Sequence, residues 1–248
     1  LFDNGHRARG DLLVAADGIR SRLRTHVLSQ PVDPVYRGYV NWNGLVPVSP
    51  DLAPGDHWVI YVGDHQRASL MPVGGDRFYF FFDVPLPAGT AAIPDQYRAD
   101  LAKYFAGWAD PVQRLIERLD PATMARPEIH DVGPLERLVR GRVVLLGDAA
   151  HATCPDLGQG GCQAMEDSLV LAQYLMTTNV GLDYALARYE GDRKARTSAV
   201  VNKARKRAEM IHGKDPAVTQ QWYDQLGQES PADVRNAIAS VILAGPLG

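Results

Sequence analysis

Cysteine is scarce. Cys154 and Cys162 are the only two in 248 residues. Two thiols cannot build a disulfide framework, and no CxxC or Cys/His ligand pattern surrounds them, so no metal site is expected. A reducing, cytoplasmic compartment is the expectation. Long hydrophobic runs are also missing. The longest, such as Trp58–Val62 and Val143–Leu146, fall far short of the roughly 20 residues of a membrane span. No basic start followed by an apolar stretch marks a signal peptide. No membrane partner is expected. Charge of one sign is absent: 26 Lys+Arg face 29 Asp+Glu, a net of −3. That excludes the broad basic field of non-specific nucleic-acid binding. Internal repeats and low-complexity segments are lacking as well. What is present is the balance of a globular chain, 46% hydrophobic and 22% charged.

Hydrophobic patterning divides the chain. Asp11–Ala16 (DLLVAA) reads as a short buried strand before an Asp17-Gly18 turn, with a helix starting near Ser21. From Val35 to Asp83 the runs VYRGYVNWNGLVPV, HWVIYV, RASLMPV and RFYFFFDV have period-2 character between Pro/Gly/Asp clusters. Tyr97, Leu101, Tyr104, Phe105 and Trp108 form one helical face. Asp110-Pro111 reads as a cap and first position of a second helix, with Val112, Leu115, Ile116 and Leu119 as its stripe. Arg126–Val132 reads as a strand returning to the first unit, and Arg142–Leu146 as a strand buried on both faces of a parallel sheet. Cys162–Tyr174 reads as a helix with Met165, Leu169 and Ala172 on one stripe. Leu182–Ile211 is a long helical region rich in Lys and Arg, more simply a solvated face than an anion-binding one. Two further helices follow Asp215, divided near Gly227–Pro231.

The chemistry concentrates in RVVLLGDAAHATCPDLGQGGCQAMED, Arg142–Asp167. A buried strand ends in Gly147-Asp148, a loop carries His151 and Pro155, and Gly158-Gln159-Gly160-Gly161 opens a helix. Glycines let a backbone approach a ligand. A helix start offers unpaired N–H groups and partial positive charge. Asp148 is an acceptor placed for a sugar hydroxyl. Spacing alone also allows a plain glycine-rich turn.

As a string, this segment resembles the GD motif of the class A flavin-dependent aromatic hydroxylases, the p-hydroxybenzoate hydroxylase fold family. DLLVAADGIRSRLR, Asp11–Arg24, resembles their DG motif through Asp17, Gly18, Ser21 and Arg24, with Ala15 where Gly is common. The motifs stand in the family's order, about 130 residues apart. The resemblance implies FAD as cofactor and NADH as co-substrate. It implies cofactor contacts at Asp17, Gly18, Arg24, Asp148, Pro155, Gly158, Gln159, Gly160, Gly161 and Cys162. Cys162 reads as shaping the backbone there, not as a nucleophile, and His151 as structuring its loop.

The resemblance implies an α/β fold: an incomplete FAD-binding Rossmann-like domain, an inserted, mainly antiparallel substrate-binding sheet, and C-terminal helices. The expected boundaries are 1–34 and 127–180 for the FAD-binding part, 35–126 for the sheet with its helices, and 181–248 for the helical region. Gly-x-Gly-x-x-Gly, which holds the FAD pyrophosphate, is absent; GQGGCQ ends in Gln. The chain opens Leu-Phe-Asp-Asn-Gly-His, like a hairpin tip. It is therefore expected to be the C-terminal part of a longer protein, with on the order of 100–150 residues upstream. By itself it is expected not to hold FAD tightly.

The middle sheet, with YRGYVNWNGLV, RASLMP, RFYFFFDVPLPAG and LAKYFAGWADPVQ, is similar to that of the urate-hydroxylating members. This implies urate, or a similar small aromatic anion, as substrate and O2 as oxidant. Such an anion wants a cation, amides and aromatic walls. Arg67 supplies a forked cation, Asn41 a donor and an acceptor, Tyr79 a hydroxyl, and Phe81 a wall. By resemblance Asn41, Arg67 and the strand Tyr79, Phe80, Phe81 match the urate-contacting positions, with Arg67 and Tyr79 taken as catalytic. Guanidinium is a poor base, so Arg67 acts electrostatically. One face can hold both Arg67 and Tyr79 only if the hairpin between them has an odd loop, such as three residues with a Gly bulge. The alternatives are a hydroxylase of a phenolic or salicylate-like acid, and an inactive fragment that no longer binds FAD. The helical region from Leu182 can pack within one chain or make a homodimer contact, and the sequence does not choose.

Overall fold

The computed structural model describes residues 3–177 and 181–246. It forms two compact units, and the chain passes between them four times. Unit 1 comprises Leu1–Val35, His130–Ala208 and Asp224–Gly248, and unit 2 comprises Tyr36–Ile129 and Glu209–Tyr223. The helical region after residue 180 is therefore no third unit: its residues are divided between the other two. The passage expected at 126/127 lies at 129/130.

Unit 1 holds a three-stranded sheet in the order β1 (Leu13–Ala15), β8 (Val143–Leu145), β7 (Val139–Arg140). β1 runs parallel to β8, Leu13 opposite Val143 and Ala15 opposite Leu145. Val144 and Leu145 are wholly buried, as a continuous apolar strand in a parallel pair predicts. β1 departs from expectation. Ala15 is buried, but Leu13 is 48% and Val14 42% exposed. Helix α1 (Arg22–Leu28) begins where the Ser21 hydroxyl accepts the Arg24 N–H at 2.9 Å. Helices α4 (Asp148–His151), α5 (Gly160–Met176), most of α6 (Leu182–His212) and α8 (Pro231–Leu243) complete the unit. Val27, Leu28, Val132, Leu145, Leu171, Leu186 and Tyr189 share its core. On α5 the buried side chains are Gln163, Asp167, Val170 and Leu171, while Met165, on the expected stripe, is exposed.

Unit 2 is built on a five-stranded sheet in the order β3 (Val59–Gly63), β4 (Gln66–Pro72), β5 (Arg77–Pro85), β2 (Val35–Pro47), β6 (Glu128–Asp131). β6 thus belongs to this sheet, not to the parallel one, and the chain leaves for unit 1 in mid-strand. The pairs β2/β5, β3/β4 and β4/β5 are antiparallel. Alternation separates the faces. Val40, Trp42, Ala68, Leu70, Phe78, Phe80 and Phe82 are buried with Leu101 of α2 (Tyr97–Tyr104), Phe105 just past its end, and Val112, Leu115 and Ile116 of α3 (Asp110–Arg118). Gly44 makes room there: a Cβ would stand 2.9 Å from the Phe80 ring. The cap of α3 is Ala109 rather than Asp110, which already lies in the first turn with Pro111. The opposite face of the sheet carries Asn41, Asn43, Arg67, Ser69, Tyr79, Phe81 and Asp83. No described helix is long and apolar enough to cross a membrane.

Candidate functional site

In unit 1, β8 delivers the chain to Gly147, whose backbone (φ 60°, ψ −140°) suits glycine and few other residues. A Cβ there would come within 3.2 Å of the Ala164 Cβ. Asp148 then opens α4 with an exposed side chain. Pro155 starts a single 3-10 turn, Gly158 ends it in the left-handed region at φ 62°, and buried Gln159 precedes α5. No side chain caps α5. The first helical hydrogen bond runs from Gln163 N–H to Gln159 C=O at 2.9 Å. The amides of Gly160, Gly161 and Cys162 therefore have no acceptor within the helix. Nothing lies within 4 Å of where a Gly161 Cβ would be. An exposed carboxylate and an uncapped, glycine-opened helix start suit a ligand with hydroxyls and an electron-rich edge.

The DG motif has a different task. Gly18 turns the chain at φ 78°. The Asp17 carboxylate accepts the Arg22 N–H at 2.9 Å and so helps cap α1. Burial pushes its pKa up, but the Ser21 hydroxyl and the amides of Leu23 and Arg22 outweigh this and hold it below the usual value. Arg24 has a structural task. It is buried, and its guanidinium donates to four carbonyls: Ala149 at 2.8 Å, Ile19 at 2.9 Å, Asp148 at 3.0 Å and Val32 at 3.2 Å. The side chain thereby ties the DG motif to the GD motif.

Beneath the GD loop lies a polar network that sequence reading missed, apart from His151. Asp167 Oδ2 accepts from the Gly147 amide at 2.8 Å and contacts His151 Nε2 at 2.6 Å. Its other oxygen accepts from Arg193 Nε at 2.6 Å, and Arg193 Nη1 donates to Glu166 at 2.7 Å. Burial raises the Asp167 pKa, yet the His151 hydrogen bond and charge, the Gly147 amide and Arg193 together hold it below the ordinary range. His151, 3% exposed, is placed as a residue that fixes its loop. Arg193 and Arg196 of α6 turn inward to Glu166, and Arg205 to Asp131. Three basic residues of α6, Arg193, Arg196 and Arg205, are therefore internal counter-ions. The legible signal was Asp167 itself, a carboxylate four residues after Gln163 on the buried face of α5.

In unit 2 the register builds a second polar array. Asn41 stands opposite Asp83, and Asp83 opposite Arg67. Asp83 is wholly buried. Its Oδ2 accepts from Arg67 Nε at 2.9 Å and Nη2 at 2.6 Å, its Oδ1 from Asn41 Nδ2 at 2.6 Å. Asn43 Nδ2 donates in turn to Asn41 Oδ1 at 2.6 Å. The Arg67 guanidinium carbon lies 5.4 Å from the Phe81 ring centre. Tyr79 is on the same face, two pairs along and opposite Met71, with its ring 6.3 Å from that of Phe81. Burial and the nearby Asp83 charge raise its pKa, so the phenol stays a neutral O–H group.

The hairpin closes by Val73 N–H to Arg77 C=O at 3.1 Å around Gly74, Gly75 and Asp76, all at positive φ. This is the odd loop that shared facing requires. Phe80 is the exception among the expected substrate residues. The pleat turns it to the other face, where it is 2% exposed in the core. Asp83 was missed, although its parity with Tyr79 and Phe81 at the end of an aromatic strand marks it. No group of three or more His, Cys, Asp or Glu among the described residues could hold a metal.

Residues 3–204 match the family model described as FAD binding domain. The chain is 55% identical over 247 residues to a protein named FAD-dependent urate hydroxylase from Klebsiella pneumoniae. It is 45% identical over 246 residues to one of the same name from Mycolicibacterium vanbaalenii. All of the chain is matched in the first case, but only 64% of that relative's length. A crystal structure of Klebsiella pneumoniae HpxO with FAD and uric acid superposes on the whole chain with a TM-score of 0.96 at 55% identity, covering 63% of that protein. A salicylate hydroxylase substrate complex, at 23% identity and a TM-score of 0.73, shares the fold. With the family model spanning both the DG and the GD motifs, the chain belongs to the FAD binding domain family.

Proposed function

We propose that the whole protein is an FAD-dependent monooxygenase that hydroxylates urate at C5. Urate, NADH, a proton and O2 give 5-hydroxyisourate, NAD+ and water. The buried Asn41–Asp83–Arg67 array beside Phe81 carries this reading. It offers a planar cation, an amide and an aromatic wall on one face, the set a flat anion rich in N–H and C=O groups requires. The 55% identity to proteins named for this activity supports it. A phenolic or salicylate-like acid needs no amide donor–acceptor pair, which favours urate here. A cytoplasmic setting goes with NADH as reductant.

The residues of unit 1 fit the cofactor. Asp148, exposed at the start of α4, suits a hydroxyl of the FAD ribityl chain. The uncapped amides at Gly160–Cys162 suit the edge of the flavin that gains negative charge on reduction. FAD bound there supplies hydride acceptance from NADH and activation of O2. The chain's own part is to position and to exclude water. Arg67 and Asn41 orient the substrate, Phe81 shields one side of it, and Tyr79 donates its O–H without titrating near neutrality.

The test is NADH oxidation by the whole protein with and without urate. Stimulation by urate, coupled to loss of urate absorbance, is expected. Stimulation without urate loss would make urate an effector only. No response would return the question to phenolic acids. Arg67→Gln removes a charged hydrogen-bond donor worth about 1.5–3 kcal/mol. A fall of roughly 10- to 100-fold in kcat/KM for urate is expected.

A further inference from the structure

His212 ends α6, far in sequence from the sheet, yet its ring stacks on Tyr39 with centroids 4.1 Å apart. Its Nδ1 lies 2.8 Å from the His65 carbonyl. A carbonyl only accepts, so Nδ1 is the donor. That directs Nε2 at Asp83 Oδ2, 3.7 Å away, with both side chains 1% exposed. This is the oxygen that Arg67 also holds through Nε and Nη2. A neutral His212 would aim a lone pair at a carboxylate; a protonated one aims an N–H and a positive charge.

The charges decide what this does. Arg67 and Asp83 alone sum to zero, and a neutral pair has little net pull on an anion. A protonated His212 makes the cluster +1. We propose that protonated His212 takes up the charge of Asp83 and so leaves the positive charge of Arg67 for the anionic substrate. His212 is then a positioning residue for substrate binding that acts through Asp83. This rests on the reading of Arg67 as the anion-binding cation. Imidazole is the side chain that ordinarily changes charge between pH 5 and 8.

The groups around His212 are Asp83 on β5, Arg67 on β4, Tyr39 on β2, His65 in the β3–β4 turn, and Thr219 and Tyr223 on α7 (Pro216–Leu226). Thr219 donates its hydroxyl to the Met210 carbonyl at 2.9 Å, so its oxygen accepts a hydrogen bond from His65 Nδ1 at 3.2 Å. His212 is the imidazole whose Nε2 faces Asp83.

The experiment is a pH series, from 5.5 to 8.5, of urate KM and kcat on the FAD-loaded whole protein, with His212→Phe and His212→Gln beside it. Phe keeps the stack on Tyr39 and Gln keeps a polar head; neither gains a proton. The expected result is a wild-type KM that is lowest relative to the variants' at acid pH and rises toward theirs as pH rises, converging by pH 8.5. At pH 6 the variants' KM is about tenfold higher, with kcat within threefold. Urate's own ionisation is common to all three proteins and cancels in the ratio. A variant-to-wild-type KM ratio that does not change with pH overturns the proposal, as does a loss confined to kcat. Retained FAD and melting temperature show which variants are folded. If neither is, the wild-type profile decides, and a KM flat in pH overturns it. If urate fails to stimulate the wild type at any pH, the functional reading itself has failed, and this inference with it.

Discussion

Arg24 and Asp167 are single residues that hold whole loops. Arg24 spends its donors on four carbonyls, three of them from the two motifs and the fourth from Val32. Lysine keeps the charge but concentrates its donors on one nitrogen, which cannot span that set. Arg24→Lys is expected to cost about 1–3 kcal/mol from the stranded carbonyls, read as a shift of the urea midpoint with an unchanged slope. Asp167 adds a pH dependence. Its folded pKa is depressed, so its contribution is complete above the unfolded value of about 3.9 and is lost as pH falls through the lower folded value. Asp167→Asn is expected to cost about 3–5 kcal/mol at neutral pH, because Arg193 and His151 lose a buried partner. The variant should also show a flatter fall of stability below pH 4; an unchanged acid limb in denaturant melts would count against this. The motifs were legible in the sequence, but not the tie between them: a string of letters does not show that the Arg24 guanidinium reaches carbonyls 124 and 125 residues away.

Elements were easier to read than their partners. Period-2 alternation and the odd loop around Gly74, Gly75 and Asp76 place Arg67 and Tyr79 on one face. The same alternation sends Phe80 to the core, a consequence already present in the strand RFYFFFDV. What alternation could not show is that the last turn of α6 sets His212 beside Asp83, since no local pattern encodes a contact between residues 83 and 212. The GD loop yields a pair of glycine predictions. Gly147→Ala forces a side chain into a backbone that L residues avoid and toward Ala164. It is expected to cost about 1–3 kcal/mol and to lower FAD retention together with stability. Gly161→Ala sits in the first turn of α5 with open space around it. It should hold or raise stability by up to ~1 kcal/mol, while on the proposed placement of the flavin at this helix start FAD retention by the whole protein falls. FAD content after desalting, set beside melting temperature, separates the two; parallel changes in both variants would remove the ligand from the α5 terminus.

At the scale of the molecule, the charge balance of −3 gives no field to draw in an anion. On the proposed reading, attraction for the substrate anion is local to Arg67, which is 7% exposed. Salt therefore screens it little. The two cores also differ in how the chain supplies them. That of unit 1 draws on residues from Ala15 to Tyr189, separated by the whole inserted sheet. That of unit 2 runs from Val40 to Leu119, entirely within Tyr36–Ile129. The other part of unit 2, Glu209–Tyr223, adds His212 and Thr219, polar residues of the sheet's opposite side, and Trp222. A fragment of residues 36–129 thus keeps the whole of that cluster, and loses the buried Ile211 and Trp222 with the polar cover that His212 gives Tyr39 and Asp83. Since apolar burial is the main driving term, this fragment is expected to fold alone, with a cooperative thermal melt and a near-ultraviolet signal from Trp42 in its aromatic surroundings. Adding a synthetic peptide of residues 209–223 should raise the midpoint by mass action. A broad, non-cooperative melt of the fragment alone would mean that the helical segment is part of the folding unit, and that the core is not sufficient for it.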